Sequence, residues 1–195
     1  IGFDRAVEIK ISSNDEMGFA SDKYLICEIM GTYSNIIFLD ENRRIVSVLH
    51  PVSLSVSNKR QVLCGFEYEN PPAQEGKIDA LSVSPVEFEA KVKSDIENGI
   101  TGSADRYLIS SFSGLSPLTA REIVYRASGN TSTPLSEIDV DKLRFNYFQI
   151  YGKVSENEFS PCLVRDAKGD VVEFSFCEIR QYGANYACVP YEDVS

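Results

Sequence analysis

The spacing of apolar residues changes twice along this chain, and the changes constrain its fold more than any other feature. Residues 1–82 carry strand-like apolar runs, residues 83–155 carry helix-like spacing, and residues 156–195 return to strand-like runs. The order predicts an α+β fold in three parts: a β-rich core, a helical region, and a β hairpin that returns to the core.

The first part is predicted to be an antiparallel β meander. Val7, Ile9 and Ile11 alternate with polar residues, which is typical of a half-buried strand. Further apolar runs follow, separated by turn-forming residues, as expected for strands joined by short connections. The predicted strands are residues 6–12, 23–30, 35–39 and 45–49. Residues 60–77, interrupted by glycine and proline, are predicted to form an ordered loop with extended pieces.

Helix-start signals mark the middle of the chain. Ser84-Pro85-Val86-Glu87 has the pattern of a capping box with proline at the first helical position. A second short helix is predicted over residues 104–112. A third begins at Ser116-Pro117 after Gly114, which gives the pair the shape of a helix-hairpin-helix insert. A fourth begins at Thr133 or Asp139.

The C-terminal part is predicted to be a β hairpin. Residues 159–165 and 171–176 are strand-like and flank a loop that contains glycine. Residues 190–194 have the pattern of a helix start.

Composition limits the classes of function. The net charge is −10, so a generally basic nucleic-acid module is excluded, and any nucleic-acid contact requires a local patch. The five cysteines contain no CxxC pair and His50 is the single histidine, so we expect no disulfide framework, metal site, cofactor or catalytic site. The sequence has no run long and apolar enough for a membrane span, so we expect no membrane partner.

Two places are candidates for contact with phosphate or RNA. Ser116 begins a helix whose free N–H groups can receive a phosphate, although the same serine can simply cap its own helix. Gly114 and Arg121 flank that helix start. Lys59 and Arg60 form a small basic pair, and an exposed surface loop is the alternative interpretation.

Several motifs, read in order, resemble one family. They are Gly2-Phe3-Asp4-Arg5, the segment from Glu28 to Ile37 with Ser34-Asn35 at its centre, Arg60-Gln61-Val62-Leu63-Cys64-Gly65-Phe66-Glu67-Tyr68, and Phe112-Ser113-Gly114-Leu115-Ser116-Pro117-Leu118. This combination is similar to the N-terminal domain of the NFACT family, also labelled fibronectin-binding protein A, N-terminal. Thr32-Tyr33 and Cys64 depart from its usual Arg-His and Pro.

The resemblance implies a cytoplasmic, non-enzymatic RNA-binding adaptor of ribosome-associated quality control. Family members bind the large ribosomal subunit that carries a stalled nascent chain. They recruit tRNA, alanyl-tRNA in bacteria, for C-terminal tailing. The family's Asp-Arg pair is implicated in tRNA binding and corresponds to Asp4 and Arg5. The implied fold resembles the N-terminal domain of Fpg-type DNA glycosylases.

The resemblance also suggests that the chain is part of a longer protein and offers two alternative functions. Family proteins are longer at both ends, and a coiled coil follows this region, so we expect this chain to be an internal fragment. The family label suggests an adhesin that binds an extracellular-matrix protein, fibronectin or fibrinogen. The fold resemblance suggests a glycosylase-like binder of nucleic acid, although function belongs to the site and not to the fold.

Overall fold

The computed structural model describes residues 6–14, 17–55, 60–71 and 76–191. The chain forms two compact units, Ile1–Glu75 and Gly76–Ser195. The C-terminal strands lie in the same unit as the helices. The predicted division into three parts at residues 82 and 155 stays a prediction.

The first unit contains the predicted antiparallel meander. Its sheet has the order β1-β2-β3-β4, and each strand pairs with the next in the chain. A short 3-10 turn, Gly31–Tyr33, connects the second and third strands. The strands are β1 (Ala6–Asn14), β2 (Ala20–Glu28), β3 (Asn35–Leu39) and β4 (Ile45–Val48).

One face of this sheet carries the core of the first unit. Alternate residues of β2 to β4 point to this face and pack with two residues of the following loop. The loop is anchored by bridges from Val62 to Val52 and from Glu67 to Arg44, as expected for an ordered loop with extended pieces. The buried core residues are Ile26, Ile37, Leu39, Ile45, Val62 and Tyr68.

The apolar side of β1 faces away from this core. Val7, Ile9 and Ile11 are each between 41% and 48% exposed, while Glu8 and Lys10 lie on the other side of the strand. The predicted alternation of apolar and polar residues along β1 is confirmed. Among the described residues, the apolar side of this strand is about half exposed.

The described residues of the second unit form four helices, and three of them begin at the predicted caps. The short second helix begins after Ser103, whose side chain makes no capping hydrogen bond. Ser84 and Glu87 form the reciprocal capping box, and Ser116 and Asp139 accept hydrogen bonds from N–H groups of their own first turns. Of the two possible starts for the last helix, Asp139 is the one used. The helices are α1 (Pro85–Glu97), α2 (Ala104–Ser111), α3 (Pro117–Ser128) and α4 (Val140–Ser155).

Stacked aromatic rings form the centre of the helical core. The ring centre of Tyr147 lies 4.5 Å from that of Phe88 and 5.0 Å from that of Tyr151. Phe112, 5.1 Å from Phe88, belongs to a strand that sequence reasoning missed. This strand, β6 (Phe112–Ser113), pairs in parallel with β5 (Ile78–Asp79).

A three-stranded sheet ends the second unit, in the order β8-β7-β9. The predicted hairpin is β7 (Cys162–Arg165) with β8 (Val171–Ser175). The third strand, β9 (Ala187–Pro190), was not predicted. Pro190, the first residue of the predicted helix start, instead closes this edge strand opposite Cys162, a position that proline tolerates. Residues 192–194 of that prediction lie outside the described residues. None of the helices in the described ranges is both long and apolar enough to cross a bilayer.

Candidate functional site

Residues from separate motifs meet at the end of β2. Glu28 is the last residue of this strand and is 2% exposed. It pairs with Ala6 on one side and with Asn35 on the other. Asp4 and Arg5, which directly precede Ala6 in the sequence, lie outside the described residues.

Glu28 holds a buried ion pair at this position. Its carboxylate accepts hydrogen bonds from Arg60 Nη2 at 2.5 Å and from the Tyr68 hydroxyl at 2.9 Å. The Arg60 guanidinium also donates from Nη1 to the Glu69 carbonyl at 2.7 Å and lies 6.0 Å from the Tyr68 ring centre. The side chains of Arg60 and Glu28 are 11% and 1% exposed, so the pair is largely shielded from water.

The electrostatics keep Tyr68 and Arg60 in defined protonation states. Burial and the hydrogen bond to Glu28 raise the pKa of Tyr68 far above its ordinary value, so its hydroxyl remains a donor. Burial alone would lower the pKa of Arg60, but the hydrogen bond and charge of Glu28 outweigh burial and raise it. The guanidinium therefore stays charged.

This arrangement restricts what Arg60 can do. A phosphate that contacts Arg60 has to compete with the Glu28 carboxylate at the same guanidinium. The predicted RNA contact of Arg60 therefore stays a prediction, with an intramolecular partner now identified. Lys59 lies outside the described residues.

Asn35 fixes the neighbouring strand end. Its side-chain nitrogen donates to the His50 carbonyl at 2.8 Å, and the His50 N–H donates back to its side-chain oxygen at 2.9 Å. The buried amide is thus satisfied at both ends. Beside it, Tyr33 on the 3-10 turn is 80% exposed. Sequence reasoning recorded Tyr33 only as a departure from the family pattern, because its exposure depends on a tertiary turn.

The second candidate group lies at the start of α3. Ser116 Oγ accepts from the Thr119 N–H at 3.1 Å, so the serine caps its own helix. Gly114 has a φ of +84°, a conformation that other residues rarely adopt, and its carbonyl accepts from the Tyr151 hydroxyl at 3.2 Å. Arg121 is exposed and donates from Nε to the Pro117 carbonyl. The capping role is therefore present, and a phosphate contact of these residues stays a prediction.

Comparison with known proteins identifies the family. A family model described as NFACT N-terminal and middle domains matches residues 1–195. This chain belongs to the NFACT N-terminal family. The NFACT domain is 33% identical over 164 residues to the Rqc2 homolog RqcH of Bacillus subtilis, a match that covers 82% of this chain and 26% of the relative. The Rqc2 homolog RqcH of Streptococcus suis is 39% identical over 70 residues, which are 35% of this chain and 13% of that protein.

Solved structures agree with the fold of the NFACT domain. The crystal structure of the fibrinogen binding protein from Staphylococcus aureus aligns with a TM-score of 0.74 at 28% identity, covering 99% of this chain and 64% of that one. The N-terminal structure of the fibronectin/fibrinogen-binding protein from Streptococcus suis aligns with a TM-score of 0.63 at 24% identity, covering 91% and 56%. The chain thus spans about a quarter of the Bacillus subtilis relative and under two thirds of either solved chain.

Proposed function

We propose that this NFACT domain is the tRNA-recruiting part of a ribosome quality control factor. In this role the full-length protein binds a large ribosomal subunit that carries a stalled nascent chain in the cytoplasm. It then holds a tRNA for C-terminal tailing of that chain. Bond formation takes place in the ribosome, so the domain acts by binding and has no catalytic residues of its own.

The observation that carries this proposal is the convergence of family motifs at one sheet end. Glu28 and Asn35 come from one motif and Arg60 comes from another, and their side chains are fixed by hydrogen bonds around the end of β2. Ala6 pairs with Glu28, and the proposed tRNA-binding pair, Asp4 and Arg5, comes immediately before Ala6 in the sequence. These hydrogen-bonded residues lie beside the start of β1. They support a recognition role there, because precise contacts need supporting residues in fixed positions.

The two proposed contacts suit RNA in different ways. Arg5 would donate to a phosphate or to a base edge in a forked geometry. Asp4 would accept a hydrogen bond from a base or a ribose hydroxyl, since a carboxylate near RNA contributes recognition rather than attraction. Such local contacts are compatible with a net charge of −10, because counterion release depends on the phosphates actually contacted.

A pull-down with matched double variants tests this role. The full-length protein is bound to purified large subunits that carry peptidyl-tRNA, and the additional tRNA that co-purifies is quantified. Asp4→Ala with Arg5→Ala is expected to reduce that tRNA by about tenfold or more, since two charge-assisted contacts are lost, while subunit binding is retained. Unchanged tRNA recovery would remove this pair from the proposed role.

The control is a charge pair that joins β1 to β2. Lys10 and Asp22 form an ion pair at 2.7 Å, and Lys10→Ala with Asp22→Ala also removes one cation and one anion. This variant is expected to retain both the subunit and the tRNA. A loss equal to that of the first variant would indicate a nonspecific effect of surface charge.

An adhesin is the second candidate function, because two similar solved structures are named for fibrinogen or fibronectin binding. Binding of the full-length protein to immobilised fibronectin and fibrinogen, with detection of the protein at the cell surface, tests it. Matrix binding without ribosome association would place the adhesin role first.

Product formation on an abasic or oxidised duplex would instead support the glycosylase-like alternative.

A further inference from the structure

A groove on the second unit has the chemistry of a nucleotide site and lies apart from the residues discussed above. Its main chamber has a volume of about 440 Å³ and lies along α3 and α4, where residues spaced one turn apart on each helix line it. Arg126 and Gly129 contribute from α3, and Phe145 and Gln149 contribute from α4. A volume of this size is in the range of small-ligand clefts.

Two arginines line the main chamber of the groove. Arg126 and Arg180 line the main chamber, and no carboxylate does among the described residues. A smaller chamber of about 190 Å³ shares Arg126, Gln149 and Arg180 and adds Lys153 one turn further along α4, together with Glu158 and Glu178. The cationic groups therefore extend as a strip from one chamber into the next.

The two guanidinium groups are oriented by carboxylates and keep donors for a ligand. Arg126 donates from Nε to Glu122 at 2.6 Å and from Nη2 to the Glu178 carbonyl. Arg180 donates from Nε and Nη2 to the Glu178 carboxylate. Within the described part of the chain, Nη1 of each arginine has no partner, so each retains two N–H donors. A phosphate bound at Arg180 would share that guanidinium with the Glu178 carboxylate.

Aromatic and amide groups complete the lining. Phe145 is 62% exposed where it lines the chamber, and an exposed ring is a suitable platform for stacking a base. The side-chain amide of Gln149 has no hydrogen bond to other described residues, and Asn146 uses only its amide nitrogen, which donates to the Lys142 carbonyl. Carboxamides offer both a donor and an acceptor, which is what a base edge requires.

We propose that this groove binds a nucleotide of single-stranded RNA, with the base stacked on Phe145 and the backbone phosphates held by Arg180 and Lys153. The inference rests on the proposed function only in taking RNA as the ligand. An acidic peptide fits less well, because it would use the cations but neither the exposed ring nor the paired donors and acceptors of the carboxamides.

Fluorescence anisotropy with a labelled single-stranded oligoadenylate tests the proposal on the 195-residue chain. Phe145→Ala is expected to weaken binding by about tenfold, because one stacked base is lost. Arg180→Gln is expected to weaken binding and to lower the slope of log affinity against log salt by about 0.7, the value for one phosphate contact on a single strand. Both side chains are exposed, so the thermal unfolding midpoint is expected to stay within a few degrees of wild type.

Two control variants remove the same chemistry elsewhere in the second unit. Phe174→Ala removes a 76% exposed ring from β8, and Arg106→Gln removes an exposed arginine from α2. Both are expected to bind within twofold of wild type. Equal losses in test and control variants, or no binding by wild type, would overturn the proposal. Displacement of the RNA by an oligoglutamate peptide at matched charge would overturn it in favour of an acidic peptide.

The outcome is separable from that of the proposed function. Absence of oligonucleotide binding by the wild-type chain, with normal tRNA recovery on subunits, would overturn the groove and leave the sheet-end site standing. Oligonucleotide binding that depends on Phe145 and Arg180, without any ribosome association, would support the groove and contradict the proposed function.

Discussion

Among the described residues, each unit of this NFACT domain buries one paired glutamate. The two glutamates fix different parts of the structure. Glu28 in the first unit is held by the side chains of Arg60 and Tyr68. Glu122 in the second unit is 0% exposed, pairs with Arg126 one turn along its own helix, and accepts hydrogen bonds from the backbone N–H groups of Arg180 and Gln181.

The difference lies in what each carboxylate fixes. Glu122 fixes backbone in the connection between β8 and β9, so it sets the path of the chain beside the groove. Glu28 fixes side chains that extend from a loop. The Glu28 network therefore holds the side chains beside the start of β1, and the Glu122 network holds the backbone beside the groove.

Glu122→Ala is expected to have the largest effect. The substitution leaves Arg126 without its buried partner and two backbone N–H groups without an acceptor, and breaking a buried pair costs about 3–5 kcal/mol of unfolding free energy. Urea unfolding followed by circular dichroism measures this loss. Hydrogen exchange is expected to rise in residues 178–189.

Exposed Glu137 supplies the control for that prediction, since Glu137→Ala removes the same charge from the surface of the same unit. The control is expected to change stability by less than about 0.5 kcal/mol. A similar small change for Glu122→Ala would show that its network is not structural and would remove the contrast between the two glutamates.

Glu28→Ala is expected to have the next largest effect, near 3 kcal/mol and thus at the lower end of the same range. Arg60 retains its hydrogen bond to the Glu69 carbonyl and some contact with water, so its positive charge is still partly stabilised. Tyr68→Phe, which removes only the hydroxyl hydrogen bond, is expected to cost about 1.5 kcal/mol. Hydrogen exchange is expected to rise in residues 60–69 and to stay unchanged in the second unit; an equal rise in both units would contradict the assignment.

Local signals explain which parts of the fold were predictable. The helix starts at Ser84, Ser116 and Asp139 depend on caps within one turn, and the meander depends on alternation and short connections, so the sequence alone is sufficient. The short pair of β5 and β6 depends on residues that lie 34 positions apart, such as Ile78 and Phe112, and nothing local indicates it.

The candidate sites were less predictable for the same reason. Arg60 was interpreted as a loop cation because its partner Glu28 lies 32 positions earlier in the chain. The groove was missed although Phe145 and Gln149 share one helix face, since their placement opposite Arg126 depends on how two helices pack. An exposed aromatic residue gives no signal in a sequence that contains 11 phenylalanines.

Thiol labelling provides the last test and the one with the smallest expected effect, because one cysteine of each unit can report on that unit. Cys64 in the first unit is exposed, whereas Cys162 in the second is 3% exposed. Burial, with the adjacent thiol of Cys188, raises the pKa of Cys162 to about 12. At pH 8 this thiol is therefore neutral and slow to react, while Cys64 is expected to react at the rate of a surface thiol.

The raised pKa also fixes the sign of the pH dependence. An unfolded cysteine titrates near pH 8.5, so the contribution of Cys162 to stability is complete below that value and falls as the pH rises towards 12. Mass spectrometry of each labelled peptide then reports which unit opens. Glu122→Ala is expected to accelerate labelling of Cys162 by roughly a hundredfold through local opening, with Cys64 unaffected. Glu28→Ala is expected to leave the Cys162 rate unchanged, and acceleration of Cys162 by that variant would show that the two buried glutamates stabilise one cooperative structure rather than two.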